Sequence, residues 1–175
     1  MDLKASIRAV PDYPKPGIVF RDLTTLMANS EAFRETCGLL ADSYKSRGAT
    51  VVAGIEARGF IFGAAVADRL GIGFVPVRKA GKLPSKTIAR SYALEYGEDT
   101  LEVHTDAFTK DDRVLLVDDL LATGGTASAA VELIRDTGAK VIASAFVVEL
   151  DGLPGRKRLE EIDVEVLALT AFKED

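Results

Sequence analysis

The sequence predicts one α/β domain, a central parallel sheet flanked by helices with a β-hairpin inserted near its middle. Three observations lead there. Short apolar, β-branched runs alternate with stretches of helical periodicity, the pattern of a parallel sheet covered on both faces. The 175 residues match one ordinary domain, which buries roughly 70% of its unfolded surface without disulfide or metal support. No internal repeat, linker or low-complexity tract divides the chain, so residues 1–175 read as one unit.

The elements follow in order. Residues 1–28 read as an irregular cap: three prolines and Gly17 fall within residues 11–17, which implies fixed turns, because apolar residues follow directly. Ser30 is the expected N-cap of a helix with Glu31 in its first turn, and Phe33, Cys37, Leu40 and Tyr44 recur at helical spacing toward Gly48. "TVVAGI" (50–55) is a buried strand, "GFIFGAAVADRLG" (59–71) a helix ending at Gly71, and "IGFVPV" (72–77) a strand. The basic segment 78–90 shows no periodicity and reads as an exposed loop. "SYALEYG" and "TLEVHTD" alternate apolar and polar, as two antiparallel strands around "GED" would. "RVLLVDD" (113–119) is a strand, and the helix over 125–138 places Ala127, Ala130, Val131 and Ile134 on one face. "KVIASAFVVEL" (140–150) is a strand, "PGRKRLEEI" (154–162) a short helix and "VEVLAL" (164–169) the last strand.

Composition narrows the function classes. With 47% hydrophobic and 28% charged residues the chain is an ordinary globular protein. A formal net charge of −5 argues against non-specific binding to nucleic acid or membrane and leaves room for a local basic site. The single cysteine, Cys37, excludes a disulfide framework, and its place on a helical apolar stripe marks it as core packing. The N-terminal residues lack an apolar signal core and no apolar run approaches the length of a membrane span, so a reducing cytoplasm is expected. His104, the one histidine, sits on an alternating strand and reads as a surface or interface residue.

Ligands of open α/β sheets bind outside the carboxyl ends of the strands. Three such ends here are polar or glycine-rich: "EARG" (56–59), "RKAGK" (78–82) and "DDLLATGGT" (118–126). In the last, Gly124 and Gly125 allow a sharp turn with N–H groups aimed inward, Thr123 and Thr126 add hydroxyls, and a helix begins near Gly125. That arrangement is an anion site suited to a phosphate monoester. Glycine pairs also occur in plain β–α turns, and no Gly-Lys-Ser/Thr follows to make a Walker loop. Asp118 and Asp119 shift the balance. Two adjacent like charges at a strand end suit vicinal hydroxyls that each donate to a carboxylate; direct Mg²⁺ coordination is the alternative. With the anion loop, the strip reads as a grip for a ribose 5-phosphate.

"VLLVDDLLATGGT" (114–126) resembles the phosphoribosyl pyrophosphate (PRPP) signature of the type I phosphoribosyltransferases. "PDYPKPGIVFRDLTTL", "GIEARGFIFGAAVA", "VRKAGKLP" and "SYALEYG" resemble, in the same order, the branch of that family that uses adenine, so the likeness covers nearly the whole chain. The resemblance implies the type I phosphoribosyltransferase fold and a purine-salvage enzyme that transfers the 5-phosphoribosyl group from PRPP to adenine, giving AMP and pyrophosphate. It implies that Asp118 and Asp119 hold the ribose and that Ala122, Thr123, Gly124, Gly125 and Thr126 hold the 5-phosphate. Arg58, Gly59, Arg78 and Lys79 match pyrophosphate contacts, with a cis non-proline peptide at Glu56–Ala57. Lys82 matches a position that reaches across a homodimer interface. Residues 1–28 would form a hood in which Val19, Phe20 and Arg21 meet adenine, with Leu150 closing the other side. Residues 80–104 would form a flexible lid carrying Tyr92 and Tyr96, and Glu95 would manage a proton near N7 as the catalytic residue. Mg²⁺ is implied through the substrate, bridging pyrophosphate and ribose oxygens, with no dedicated protein ligand. Two alternatives remain: transfer to xanthine, hypoxanthine or guanine, and a PRPP-sensing regulator of the same fold. The latter usually adds a DNA-binding module or a large basic face, neither of which the sequence offers.

Overall fold

A computed structural model describes residues 2–93 and 97–173. The N-terminal cap is regular where the sequence analysis expected irregular chain. A 3₁₀ turn over Leu3–Ser6 leads into β1 (Arg8–Pro11), which pairs antiparallel with β2 (Val19–Asp22). The prolines fall in the turn and at the end of β1, where a missing N–H interrupts no long ladder. Gly17, at φ 86°, donates its N–H to Asp12 Oδ1 at 2.8 Å and closes the turn. A short helix, α1 (Thr24–Ala28), follows. The cap of α2 (Ser30–Asp42) is Asn29, one residue before the expected Ser30: its Oδ1 accepts from the Glu31 and Ala32 amides at 3.1 and 3.0 Å.

The remaining elements alternate as expected: β3 (Val51–Ile55), α3 (Arg58–Leu70), β4 (Gly73–Lys79), the hairpin β5 (Thr87–Ala93) and β6 (Glu98–His104), β7 (Arg113–Leu121), α4 (Gly125–Asp136), β8 (Lys140–Asp151), α5 (Gly155–Glu160) and β9 (Val166–Lys173). Gly71 ends α3 in the left-handed conformation, φ 68°. The basic stretch 78–90 is not all loop. Arg78 and Lys79 complete β4 by pairing with Glu102 and Leu101 of β6, and β5 begins at Thr87. Cross-strand partners supplied by β6 make this segment regular, and its own pattern carries no trace of them.

The seven strands run in the order β5-β6-β4-β3-β7-β8-β9. Five are parallel; the hairpin adds two antiparallel strands at one edge. Alternation along each strand divides the core. Ala53, Ile55, Leu116 and Phe146 pack with α4 and Leu159 of α5, while Val52, Leu115, Val117 and Val147 pack with α2, α3 and Leu26 of α1. Phe62 and Phe146 are fully buried, and each such side chain contributes about 1.5–3 kcal/mol through the water it sheds. Leu101 and Val103 of β6 are equally buried, so the base of the hairpin belongs to the core.

From β3 the chain moves first to β4 on one side and later to β7 on the other. Such a reversal opens a crevice at the carboxyl ends of the two strands. One contact shapes that crevice from behind: a Cβ on Gly155 would lie 2.3 Å from the Ala122 carbonyl oxygen and 2.9 Å from the Leu121 side chain. Gly155→Ala therefore displaces the 122–126 backbone, and chemical denaturation is expected to show a loss of about 1–3 kcal/mol; undiminished stability would contradict this packing.

Candidate active site

The crevice between β3 and β7 holds a cavity of about 430 Å³. Its wall includes Arg58, Lys79, Tyr92, Asp118, Asp119 and the whole of 122–126, so four of the expected groups converge. Two residues, Glu56 and Ala57, separate β3 from α3, and the peptide between them is cis, as the resemblance implied. Glu56 faces β4: its carboxylate accepts from the Lys79 amide at 2.8 Å and from Arg78 Nη2 at 2.9 Å. Burial works to raise the Glu56 pKa, but the Lys79 amide and Arg78 together hold it below the usual carboxylate range.

Arg58 opens α3 and its Nε donates to Oδ2 of Asp119, which is buried. Asp118 is half-buried, and its Oδ1 accepts the Asp119 amide at 2.9 Å. Burial and then the neighbouring Asp119 charge push the Asp118 carboxyl well above the ordinary carboxylate range. Gly59 is the reason Asp118 fits: a Cβ there would stand 2.7 Å from Asp118 Oδ1 and 3.0 Å from the Val117 carbonyl oxygen. In the 122–126 loop, Gly124 caps α4 at φ 78°, without a side chain to occupy the first-turn N–H groups. The residues that carry them, from Gly125 to Ala127, line the cavity, and free first-turn N–H groups suit an anion.

Other expected residues lie outside the cavity wall. Arg78 braces Glu56 from below and donates through Nη1 to the Lys82 carbonyl at 3.1 Å; Lys82 itself is exposed on the loop after β4. Val19, Phe20 and Arg21 sit on β2, linked to the cavity where the Arg58 guanidinium lies 5.8 Å from the Phe20 ring. Arg21 stacks on Phe172 at 4.2 Å, and Phe172 is the register partner of Leu150, so these two expected residues meet at the last strand. Glu95 and Tyr96 lie outside the described residues. His104 lies away from the cavity, where its Nε2 accepts the Ser85 amide at 3.3 Å. Cys37 is core, and burial lifts its thiol to about 11.

Sequence reasoning passed over Glu56, Asp99, Gly155 and Phe172. Glu56 lies inside the strand-end motif "EARG", and Asp99 inside "GED", where the sequence alone suggests no more than a turn. Gly155 and Phe172 had no local signal, since each matters through a residue distant in sequence.

An acidic pair and an uncapped helix terminus at the switch point of such a sheet define a class of proteins that grip phosphorylated riboses. Sequence comparison agrees: the phosphoribosyl transferase domain profile matches residues 22–174, and the chain belongs to that family. An adenine phosphoribosyltransferase of Parvibaculum lavamentivorans is 60% identical over 173 residues, 99% of each chain. The crystal structure of adenine phosphoribosyltransferase from Thermoanaerobacter pseudethanolicus superposes with a TM-score of 0.93 at 46% identity, covering 98% of each chain. The Saccharomyces cerevisiae enzyme, complexed with an imino-altritol bisphosphate and adenine, gives 0.89 at 38% identity over 96% of each chain.

The raised Asp118 pKa has a stability consequence. Its neutral form stabilises the fold; that contribution is complete below the ordinary aspartate value of 3.8 and is lost as pH rises through the higher folded value. Asn mimics the neutral form and can still accept the Asp119 amide. Asp118→Asn is therefore expected to melt higher at neutral pH, on the order of 2–4 °C, with the gain vanishing in acid below the ordinary aspartate value. Thermal melts across pH that show no gain at neutral pH would contradict the assignment.

Proposed function

We infer that the protein transfers the 5-phosphoribosyl group of PRPP to adenine, producing AMP and pyrophosphate in purine salvage. The observation that carries this reading is the strip 118–126 at the switch point, an acidic pair followed by an uncapped helix terminus. Near-full-length likeness to adenine phosphoribosyltransferases supports the choice of base.

In this reading the 5-phosphate takes the amides of 122–126 and the hydroxyls of Thr123 and Thr126. Ribose hydroxyls donate to Asp118 and Asp119. Arg58 already engages Oδ2 of Asp119, so Oδ1 is the acceptor for a hydroxyl. The pyrophosphate lies toward Arg58 and Lys79, with Gly59 allowing close approach and Arg78 fixing Glu56 beneath. Adenine enters under the β1–β2 hood, against Val19, Phe20 and Arg21, with Leu150 behind. Adenine N9 forms a bond to ribose C1 while the bond from C1 to pyrophosphate breaks, and positive charge develops on the sugar. The outer part of the 80–104 hairpin, as a lid carrying Tyr92 and Tyr96 above a base that Leu101 and Val103 hold in the core, excludes water from that electrophile. Glu95 receives or holds the purine proton near N7.

Among the described residues no group of three His, Cys, Asp or Glu side chains is arranged to hold a metal. With Asp119 engaged by Arg58 and Asp118 accepting the Asp119 amide, the donor set suits Mg²⁺ carried in on PRPP rather than a resident ion. On the substrate it neutralises the leaving pyrophosphate. We read the protein as a cytoplasmic homodimer; the exposure of Lys82 outside the cavity wall suits a reach into the partner's site. No helix among the described residues is long and apolar enough to cross a membrane.

Steady-state assays with PRPP are expected to favour adenine over hypoxanthine, guanine and xanthine by at least about a hundredfold in kcat/KM, because unpaired polar groups penalise the wrong base; preference for a 6-oxopurine would overturn the reading. Asp118→Asn and Asp119→Asn should raise the KM for PRPP about tenfold, the loss of a charged hydrogen bond, and Glu95→Gln should lower kcat about a hundredfold with little change in KM. Normal PRPP saturation in both aspartate variants removes the ribose assignment, and undiminished turnover removes Glu95 from the chemistry.

A further inference from the structure

Both cations that the described residues place on the cavity wall, and Arg78 beside it, already have a carboxylate. Arg58 is held by Asp119, Arg78 by Glu56, and Lys79 by Asp99, whose Oδ2 lies 2.6 Å from Lys79 Nζ. The first two pairs have evident duties: Asp119 faces the ribose position, and Glu56 ties the turn after β3 to β4. Asp99 has neither. It sits on β6 at the cavity wall, and its carboxylate also accepts the Tyr92 hydroxyl at 3.3 Å and the Thr100 amide at 2.9 Å. A carboxylate fixed by three donors on the wall of a polyanion site opposes the ligand that the site would receive.

We propose that Asp99 is a resident counter-anion that occupies Lys79 in the ligand-free protein and competes with the pyrophosphate end of PRPP for it. The inference rests on the reading of Lys79 as a pyrophosphate contact. Both partners are poised for exchange, since the Lys79 side chain is 52% exposed and that of Asp99 23%. Lys79 and the Thr100 amide hold Asp99 below the usual carboxylate range, while Asp99 raises Lys79, so both are charged at neutral pH. A pyrophosphate arriving at Lys79 must displace the carboxylate or share the ammonium with it, and in either case it meets a like charge. Tyr92 anchors the competitor through the bond from its hydroxyl to Asp99. Asp99 thereby weakens the hold on PRPP and on product pyrophosphate, and it favours departure of the leaving group.

The test is isothermal titration calorimetry of the full chain with magnesium pyrophosphate and, separately, with ribose 5-phosphate. Asp99→Asn, which keeps the hydrogen-bonding shape and removes the charge, is expected to bind pyrophosphate about threefold tighter, the scale of a partly exposed ion pair. Ribose 5-phosphate, which reaches only the other end of the cavity, should bind unchanged. Asp99→Ser should shift pyrophosphate in the same direction, and Asp99→Glu should restore affinity toward that of the parent. Weaker or unchanged pyrophosphate binding in both neutral variants overturns the proposal, as does equal tightening of both ligands, which would mark a general change in charge or structure. Turnover of adenine and PRPP by the parent protein, measured alongside, separates the two readings. Its absence sinks the transfer reaction, whereas normal turnover with unchanged pyrophosphate affinity in the variants sinks the role of Asp99 alone.

Discussion

The bond from Arg58 to Asp119 joins the two strand ends between which the cavity opens. Asp119 is buried, and a buried carboxylate without a cation costs several kcal/mol. Arg58 supplies that cation from the first residue of α3, a position where a positive charge opposes the helix dipole. The unfavourable placement is the outcome of Asp119: helix preference at one residue yields to the electrostatic need of another strand. Once this pair is set, β3 and β7 end at a fixed distance, and the acidic pair and the anion loop point into the same space.

Close backbone approaches set the rest of the cavity. Gly59 leaves room for Asp118, and Gly155 lets α5 back the 122–126 loop. Gly124, at φ 78°, would also bring any Cβ to 2.8 Å from Gly155 Cα. Three glycines on α3, the loop and α5 thus act as one packing device. They trade side-chain burial for proximity, and the loop amides gain a rigid support in return.

Where a segment's pattern depended only on itself, the sequence revealed it. β3 and the 114–117 part of β7 are uniform apolar runs, α4 carries its apolar face at 127, 130, 131 and 134, and the strip 118–126, singled out by residue type and order, falls on the cavity wall. Segments defined by partners were illegible. Arg78 and Lys79 look like loop residues until β6 pairs with them, and the N-terminal prolines hide a hairpin whose strands need each other. The cap of α2 slipped from Ser30 to Asn29 because both residue types cap well and only the amide geometry chooses. Within the site, Asp99 and Glu56 are ordinary carboxylates in sequence; their meaning comes from cations brought to them by the β4–β6 and β3–β4 pairings.

The two ends of the cavity differ in what they offer an anion. At α4 no side chain caps the helix, so a phosphate there gains hydrogen bonds that the protein does not already make. At the other end Arg58, Arg78 and Lys79 are each engaged, and a pyrophosphate there exchanges one carboxylate contact for another. New bonds add to affinity, whereas exchanged bonds contribute only their difference. On the reading proposed above, PRPP would be anchored by its 5-phosphate and held more loosely by its pyrophosphate. That asymmetry suits a transfer in which the 5-phosphate stays with the product and the pyrophosphate leaves.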